Sequence, residues 1–332
     1  MEHIEKKDLK LITLRNKNQT ELEILNFGAT LFSLKMDDSS GKRVNVIVSP
    51  KRPEDFITAH YKDYEKFFGA STGRFSGRIN KGEFKIGKER YSLPQKDGVH
   101  LHGGDDGFQY RLWEVEEETS GANPSVTLSY LSKDREEGYP GNLKVLVNYT
   151  LSEEDKLSIT YTAETDKETI VNLTNHTYLN LNGEGSVSDH FLFINADKIL
   201  ETDGSKLPTG DLINLRKHPK NFGSNKLIGN RPLDDTFVLN SDDEEISARL
   251  FSPITGIKME MRTNQDAIIA FCPEELPSSI NYQTSISEEY PSICLKAQNF
   301  PDAPNFRNFP SAVLAPGQKY INEISLSFTV KK

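Results

Sequence analysis

The feature that most limits what this chain can fold into is a recurring short run, from one end to the other, in which apolar and polar residues alternate. Glu21-Leu22-Glu23-Ile24-Leu25-Asn26-Phe27, Thr30-Leu31-Phe32-Ser33-Leu34-Lys35-Met36 and Leu143-Lys144-Val145-Leu146-Val147-Asn148-Tyr149 all have it. So do residues 156–165, 191–194 and 323–330. Side chains on a strand point alternately to opposite faces, so this period marks half-buried β-strands. Helical stripes are nearly absent, and 53–64 and 286–289 allow only short helices. Turn residues punctuate the runs: Asn80-Lys81-Gly82 and Ile86-Gly87-Lys88 bracket Phe84 as in a hairpin, and Gly138-Tyr139-Pro140-Gly141 is a strong turn. No linker or βαβ rhythm divides the chain. The expectation is one all-β domain over residues 1–332, a large antiparallel β-sandwich.

Composition narrows the function. Hydrophobic residues make up 36% of 332 positions, enough for a sizeable core. The longest apolar runs, such as Ala267-Ile268-Ile269-Ala270-Phe271-Cys272, fall far short of the ~20 residues of a membrane helix, so no membrane partner is expected. A net charge of −9 opposes general nucleic-acid binding. The start, Met1-Glu2-His3-Ile4-Glu5-Lys6-Lys7, lacks an apolar signal core, and only Cys272 and Cys294 are cysteines; a reducing, cytoplasmic setting fits. A monomer or weak dimer is expected.

Five segments carry residues suited to chemistry. In Gly69-Ala70-Ser71-Thr72-Gly73-Arg74-Phe75-Ser76-Gly77-Arg78-Ile79, Arg74 and Arg78 stand among small residues, where a planar guanidinium can reach hydroxyls or carboxylates. In Val99-His100-Leu101-His102-Gly103-Gly104, strand alternation would put both imidazoles on one side, as half of a metal site with Asp105 or Asp106 nearby. A single working imidazole, His102, with glycines giving a ligand room, is the other reading, and a purely structural histidine the third. Asn172-Leu173-Thr174-Asn175-His176-Thr177-Tyr178 gathers amide, hydroxyl, imidazole and phenol on one face, which suits sugar hydroxyls and a general acid or base. Leu233-Asp234-Asp235-Thr236 leads an acidic pair into a strand, where a carboxylate can hold vicinal hydroxyls. Last, Cys294-Leu295-Lys296-Ala297-Gln298 runs into a proline loop, with Lys296 out of place on a strand that reads as buried.

In this order the segments resemble the aldose 1-epimerase (galactose mutarotase) family. The matching pieces are Gly-Arg-Phe-Ser-Gly-Arg-Ile from Gly73, Leu-His-Gly-Gly from Leu101, Gly-Tyr-Pro-Gly from Gly138 and Thr-Asn-His-Thr-Tyr from Thr174. Leu-Asp-Asp-Thr-Phe from Leu233, Pro-Asp-Ala-Pro-Asn from Pro301 and Pro-Gly-Gln-Lys-Tyr from Pro316 complete the set. The resemblance implies a supersandwich that interconverts the α and β anomers of a free aldohexose, with no metal or organic cofactor. It places His176 as the acid that protonates the ring oxygen and His102 as a second imidazole beside it. Arg78 and Asp234 become sugar-hydroxyl contacts, with Tyr178, Gly77 and Asn175 on the same binding face.

The sequence departs from the family at two positions. Val99 stands where asparagine is common, and Lys296 stands where the family's glutamate base is expected. The nearest upstream acids, Glu289 and Glu288, lie seven and eight residues away. For Lys296 to act as a base its pKa must fall from near 10.4 to about 7, which costs about 4.6 kcal/mol, and Asp234 opposes that fall. A charged lysine cannot take the anomeric proton. The residues therefore leave three functions open: a mutarotase impaired at its base, a non-catalytic or altered-specificity sugar binder that prefers acidic or phosphorylated sugars, and a metal-dependent enzyme built on His100 and His102.

Overall fold

The structure, a computed structural model, describes residues 4–240 and 245–331; Met1, Glu2 and His3 of the N-terminal stretch lie outside it. The alternating runs become strands at nearly the expected bounds: Glu21–Leu25, Thr30–Asp37, Leu143–Leu151, Lys156–Thr165, Phe191–Ile194 and Tyr320–Val330. In Lys156–Thr165 the residues Leu157, Ile159, Tyr161 and Ala163 point inward and their neighbours outward, as the period dictates. The 53–64 stretch gives a 3-10 turn, Pro53–Ile57, and a five-residue α-helix, Ala59–Asp63. The short helix allowed at 286–289 does not form. Ile286 instead makes a β-bridge to Gly185, a tertiary pairing that overrides a weak local preference.

Among the described residues the largest sheet has nine strands, wholly antiparallel, with Lys156–Thr165 and Tyr320–Val330 near its centre. A five-stranded sheet runs Pro208–Asn214, Ala196–Thr202, Leu233–Leu239, Ala267–Cys272, Cys294–Gln298, and a four-stranded sheet opens the chain. One apolar cluster joins these sheets, drawing on residues from Ile12 to Phe328. Among the described residues no helix is long and apolar enough to cross a membrane.

Polar groups tie the sandwich to the loops above it. The hydroxyl of Tyr161, on the nine-stranded sheet, meets the Ser71 hydroxyl at 2.8 Å. Tyr149, on the neighbouring strand, donates to the Ala29 carbonyl at 2.6 Å. Ser71–Thr72 pairs in turn with Thr174–Asn175, so the chain entering His176 is registered on the core. Asn322 and Thr174 then both donate to the Ala297 carbonyl, at 3.1 and 2.7 Å, locking that segment against Cys294–Gln298.

Arg74 proves to be part of this scaffold. It is buried and donates to the carbonyls of Ser132, Lys133, Pro140 and Gly141 and to the Ser132 hydroxyl, so its expected reach toward a ligand is corrected. Desolvation draws its pKa down to about 10, which still leaves the guanidinium charged at neutral pH. Removing it strands several buried carbonyls at once. Arg74→Met should therefore lower the unfolding free energy in urea by about 2–4 kcal/mol. Arg78→Met, which removes a part-exposed ion pair with Asp234, should change it by less than about 1 kcal/mol.

Candidate functional site

The five-stranded sheet presents one face to the site. Asp234, Phe271 and Cys294 lie opposite one another on three adjacent strands, and Thr236, Ile269 and Lys296 form the next row. Leu295 and Ala297, between the site-facing positions, point into the core. Lys296 is therefore held on a rigid, well-paired strand, with its Nζ over the Phe271 ring, 5.3 Å from the centroid.

His176 faces it from the other side. Its Nε2 is 3.2 Å from the Lys296 Nζ, and its Nδ1 is 3.7 Å from the Cys294 Sγ. Its backbone is clamped by Ala70 and Gly69 at 2.8 and 3.0 Å. His102 stands edge-on to it, ring centroids 5.3 Å apart. Arg78 closes the group, its Nη2 3.3 Å from the Asp234 carboxylate. The expected residues His102, His176, Lys296, Arg78 and Asp234 are thus brought together. Exposure is graded across them: His102, His176 and Lys296 are only 6%, 3% and 5% exposed, whereas the Arg78 and Asp234 side chains are 28% and 22% exposed. Outward from Arg78 opens a hollow of about 670 Å³, also lined by Phe67, Val99, Leu101, Gly104 and Tyr110.

The expected pairing of His100 with His102 does not occur. The strand ends at Leu101, and His102 takes a left-handed φ of +48°, which breaks the alternation. His100 turns inward instead, bonded to the Pro94 carbonyl and the Tyr139 hydroxyl, both at 2.6 Å. Among the described residues no group of three or more His, Cys, Asp or Glu side chains is placed to hold a metal. Of the following glycines, Gly104 lines the hollow and Gly103 serves packing: a Cβ on Gly103 would lie 1.7 Å from the Gly73 carbonyl oxygen.

Gly77 acts through its backbone. At φ +90° its carbonyl accepts from the His102 N–H at 2.9 Å and its own N–H donates to His102 Nδ1 at 3.2 Å. A neutral imidazole accepting at Nδ1 carries its proton on Nε2, so His102 is set as a donor. Asn175 also departs from expectation. Its amide donates to the Gly69 carbonyl at 2.9 Å and accepts from the Thr177 hydroxyl, so it braces the loop. Tyr178, 1% exposed, supports the His176 ring from beneath, centroids 5.1 Å apart. Asp235, the second acid of its pair, is bound by Lys220 at 2.6 Å.

Electrostatics follow from the enclosure. Burial, then the Lys296 charge, pulls the pKa of both His102 and His176 well below 6.5. Lys296 itself is pulled below its ordinary range by burial; Asp234 opposes this, as expected, but its carboxylate pairs with Arg78 and burial prevails. The Cys294 thiol is driven up and stays protonated.

The sequence comparison decides the family. The aldose 1-epimerase family model matches residues 10–327. The chain belongs to the aldose 1-epimerase family. It is 34% identical to the galactose mutarotase of Mus musculus, over 94% of this chain and 92% of that protein. It is 30% identical to the aldose 1-epimerase of Escherichia coli (strain K12), with the same shares covered. Its fold superposes on galactose 1-epimerase from Lactobacillus acidophilus NCFM with a TM-score of 0.86 at 30% identity, covering 100% of this chain and 98% of that one. The fold class expected from alternation and motif order is therefore that of the epimerases.

Within the epimerase fold, two contributors escaped the sequence reading. Phe67 stands edge-on to both imidazoles, at 5.1 and 5.7 Å, and holds a left-handed φ of +55°, costly for a bulky residue and typical of functional sites. Phe271 carries the face on which Lys296 rests. Neither has a local signature; only the pairing of Phe271 with Asp234 and Cys294 shows its place.

The buried imidazoles predict an acid-labile fold. Their folded pKa values lie below the unfolded value of about 6.5, so below that pH the unfolded chain binds more protons and stability falls as pH falls. His100, lowered by burial to about 4, contributes a loss of about 3 kcal/mol by pH 4 on its own. Urea unfolding at pH 7, 6 and 5 should show a steady decline; a flat profile would mean the rings titrate normally.

Proposed function

We propose that the protein binds a free aldohexose in this hollow and interconverts its α and β anomers, at a rate held back by Lys296. The convergence of His102, His176, Arg78 and Asp234 into one cluster, joined to the hollow through Arg78, carries this reading, together with the family membership. Mutarotation needs a proton removed from the anomeric hydroxyl and another delivered to the ring oxygen. The C1–O bond of the ring then opens, the aldehyde rotates, and the ring closes on its other face. Arg78 and Asp234 supply donors and an acceptor for sugar hydroxyls, and His102, protonated at Nε2, donates near the ring oxygen. His176 delivers the ring-oxygen proton and must carry a charge to do so well.

Lys296 works against both halves of the exchange. While charged it accepts nothing, and the same charge, 3.2 Å from His176 Nε2, keeps His176 from protonating. A glutamate at this position would accept the anomeric proton and favour an imidazolium. Acid and base each contribute on the order of 10²–10⁴-fold, so the competent protonation state is scarce at any pH.

A second reading has its own support. While Lys296 holds its proton, it and Arg78 set two cations against the single carboxylate of Asp234, a balance suited to an acidic or phosphorylated sugar held without turnover. Calorimetry with galacturonate against galactose separates the readings.

Polarimetry on freshly dissolved α-galactose or α-glucose tests the first. The wild type should exceed buffer alone by a small margin, and Lys296→Glu should be faster by at least about 10²-fold at pH 7. In the same variant the His176 titration should move upward, because a like charge is replaced by an opposite one. A Lys296→Glu protein no faster than wild type would reject the assignment.

A further inference from the structure

Lys296 has a property that acid–base chemistry does not use. Its Nζ is enclosed, and among the described residues it meets no carboxylate within ion-pair distance. Asp234, on the same sheet face, is paired with Arg78. A polar neighbour of the amine is the His176 imidazole nitrogen at 3.2 Å, and the amine also sits over the Phe271 ring. An amine without a bound carboxylate gives up its proton, and so exposes its lone pair, more readily than one held in an ion pair. Burial shifts it further in that direction.

The reaction proposed above produces the complementary partner. When the ring opens, C1 becomes an aldehyde carbon beside the group that occupies the family's base position. A carboxylate there can only exchange protons with it; an amine can bond to the carbon.

We propose that Lys296 captures the open-chain aldehyde of the bound aldose as an imine, holding the sugar covalently and reversibly in the hollow. The Nζ lone pair attacks C1, the N–C bond forms, and the carbonyl π pair moves to oxygen. His176 Nε2 takes a proton from the attacking nitrogen and returns it to that oxygen, giving the carbinolamine. A second transfer through His176 lets the hydroxyl leave as water while the nitrogen lone pair closes the C=N bond. Amine and aldehyde thus yield imine and one water, with no oxidant or reductant. His176 needs to be uncharged to accept the first proton, which is the state the enclosure enforces.

This inference rests on the sugar-binding reading, and the experiment separates the two. The full chain is incubated with galactose and cyanoborohydride, which reduces imines in place, and followed by intact mass and peptide mapping. The expected product gains one hexose less one oxygen atom, saturably, at Lys296. Proximity in the bound complex should raise that labelling at least about tenfold over the surface lysines. A 1,5-anhydrohexitol, which has a ring but no aldehyde, should protect Lys296 and bind in calorimetry without being trapped. Lys296→Arg, which keeps a basic side chain of similar bulk but has no primary amine, should lose the fast label alone. If the anhydrohexitol binds while Lys296 labels no faster than surface lysines, the imine is overturned and the sugar pocket stands. If no sugar binds and no preferred label appears, both fall.

Discussion

The contact on which the site depends is the approach of two basic nitrogens, Lys296 Nζ and His176 Nε2, to 3.2 Å inside an enclosure nearly closed to water. Two unit charges at that separation repel by about 5 kcal/mol even at an effective dielectric near 20. Both cannot be protonated, so the pair holds one proton at most over the ordinary pH range and its members titrate as a unit. Burial depresses the pKa values of His102 and His176 first, and the Lys296 charge lowers them further, so the contact reinforces what the enclosure already imposes.

The fold imposes the contact rather than merely permitting it. Lys296 projects from a strand paired along its length with Ala267–Cys272, and Leu295 and Ala297 on either side are sunk in the core. The strand cannot slip by one residue without exchanging those apolar side chains for polar ones. His176 is fixed through Ser71–Thr72, the two buried tyrosine hydroxyls and, by way of Thr174, the Ala297 carbonyl of the strand that carries Lys296. Neither partner can retreat cheaply. The left-handed backbones of Phe67 and His102 complete the wall, local strain held in place by the surrounding packing.

The strands were legible because a sheet with one buried face writes its period into the chain, and Lys156–Thr165 and Phe191–Ile194 emerge at the bounds the pattern set. The site was legible in part. Motif order singled out His176, His102, Arg78, Asp234 and the anomaly at Lys296, all of which converge. What failed did so where alternation does not govern. His100 and His102 share a face only if the strand continues, and the turn at His102 ends it. Arg74 and Arg78 look alike in a glycine-rich loop, yet one is sealed among carbonyls and the other meets Asp234; the carbonyls come from loops some sixty residues away in sequence, roughly the span over which no local signal reaches. Gly77 and Asn175 lie beside the site, but the groups they offer are already engaged by the protein.

The proposed exchange of a carboxylate for an amine at one strand position would require little change of scaffold. The same Cβ direction, core anchors and facing imidazole serve either side chain. With a carboxylate the pair would stabilise opposite charges, and proton transfer through it would be easy in both directions. With an amine the pair destabilises charge, which weakens proton transfer but, under the proposed reaction, sets a nucleophilic nitrogen near the aldehyde carbon of the opened sugar. Burial penalises the ammonium, Asp234 is occupied by Arg78, and the protonated Cys294 thiol offers no counter-charge. Each of these would be a defect in a proton relay. Together they are the conditions under which a lysine becomes a nucleophile.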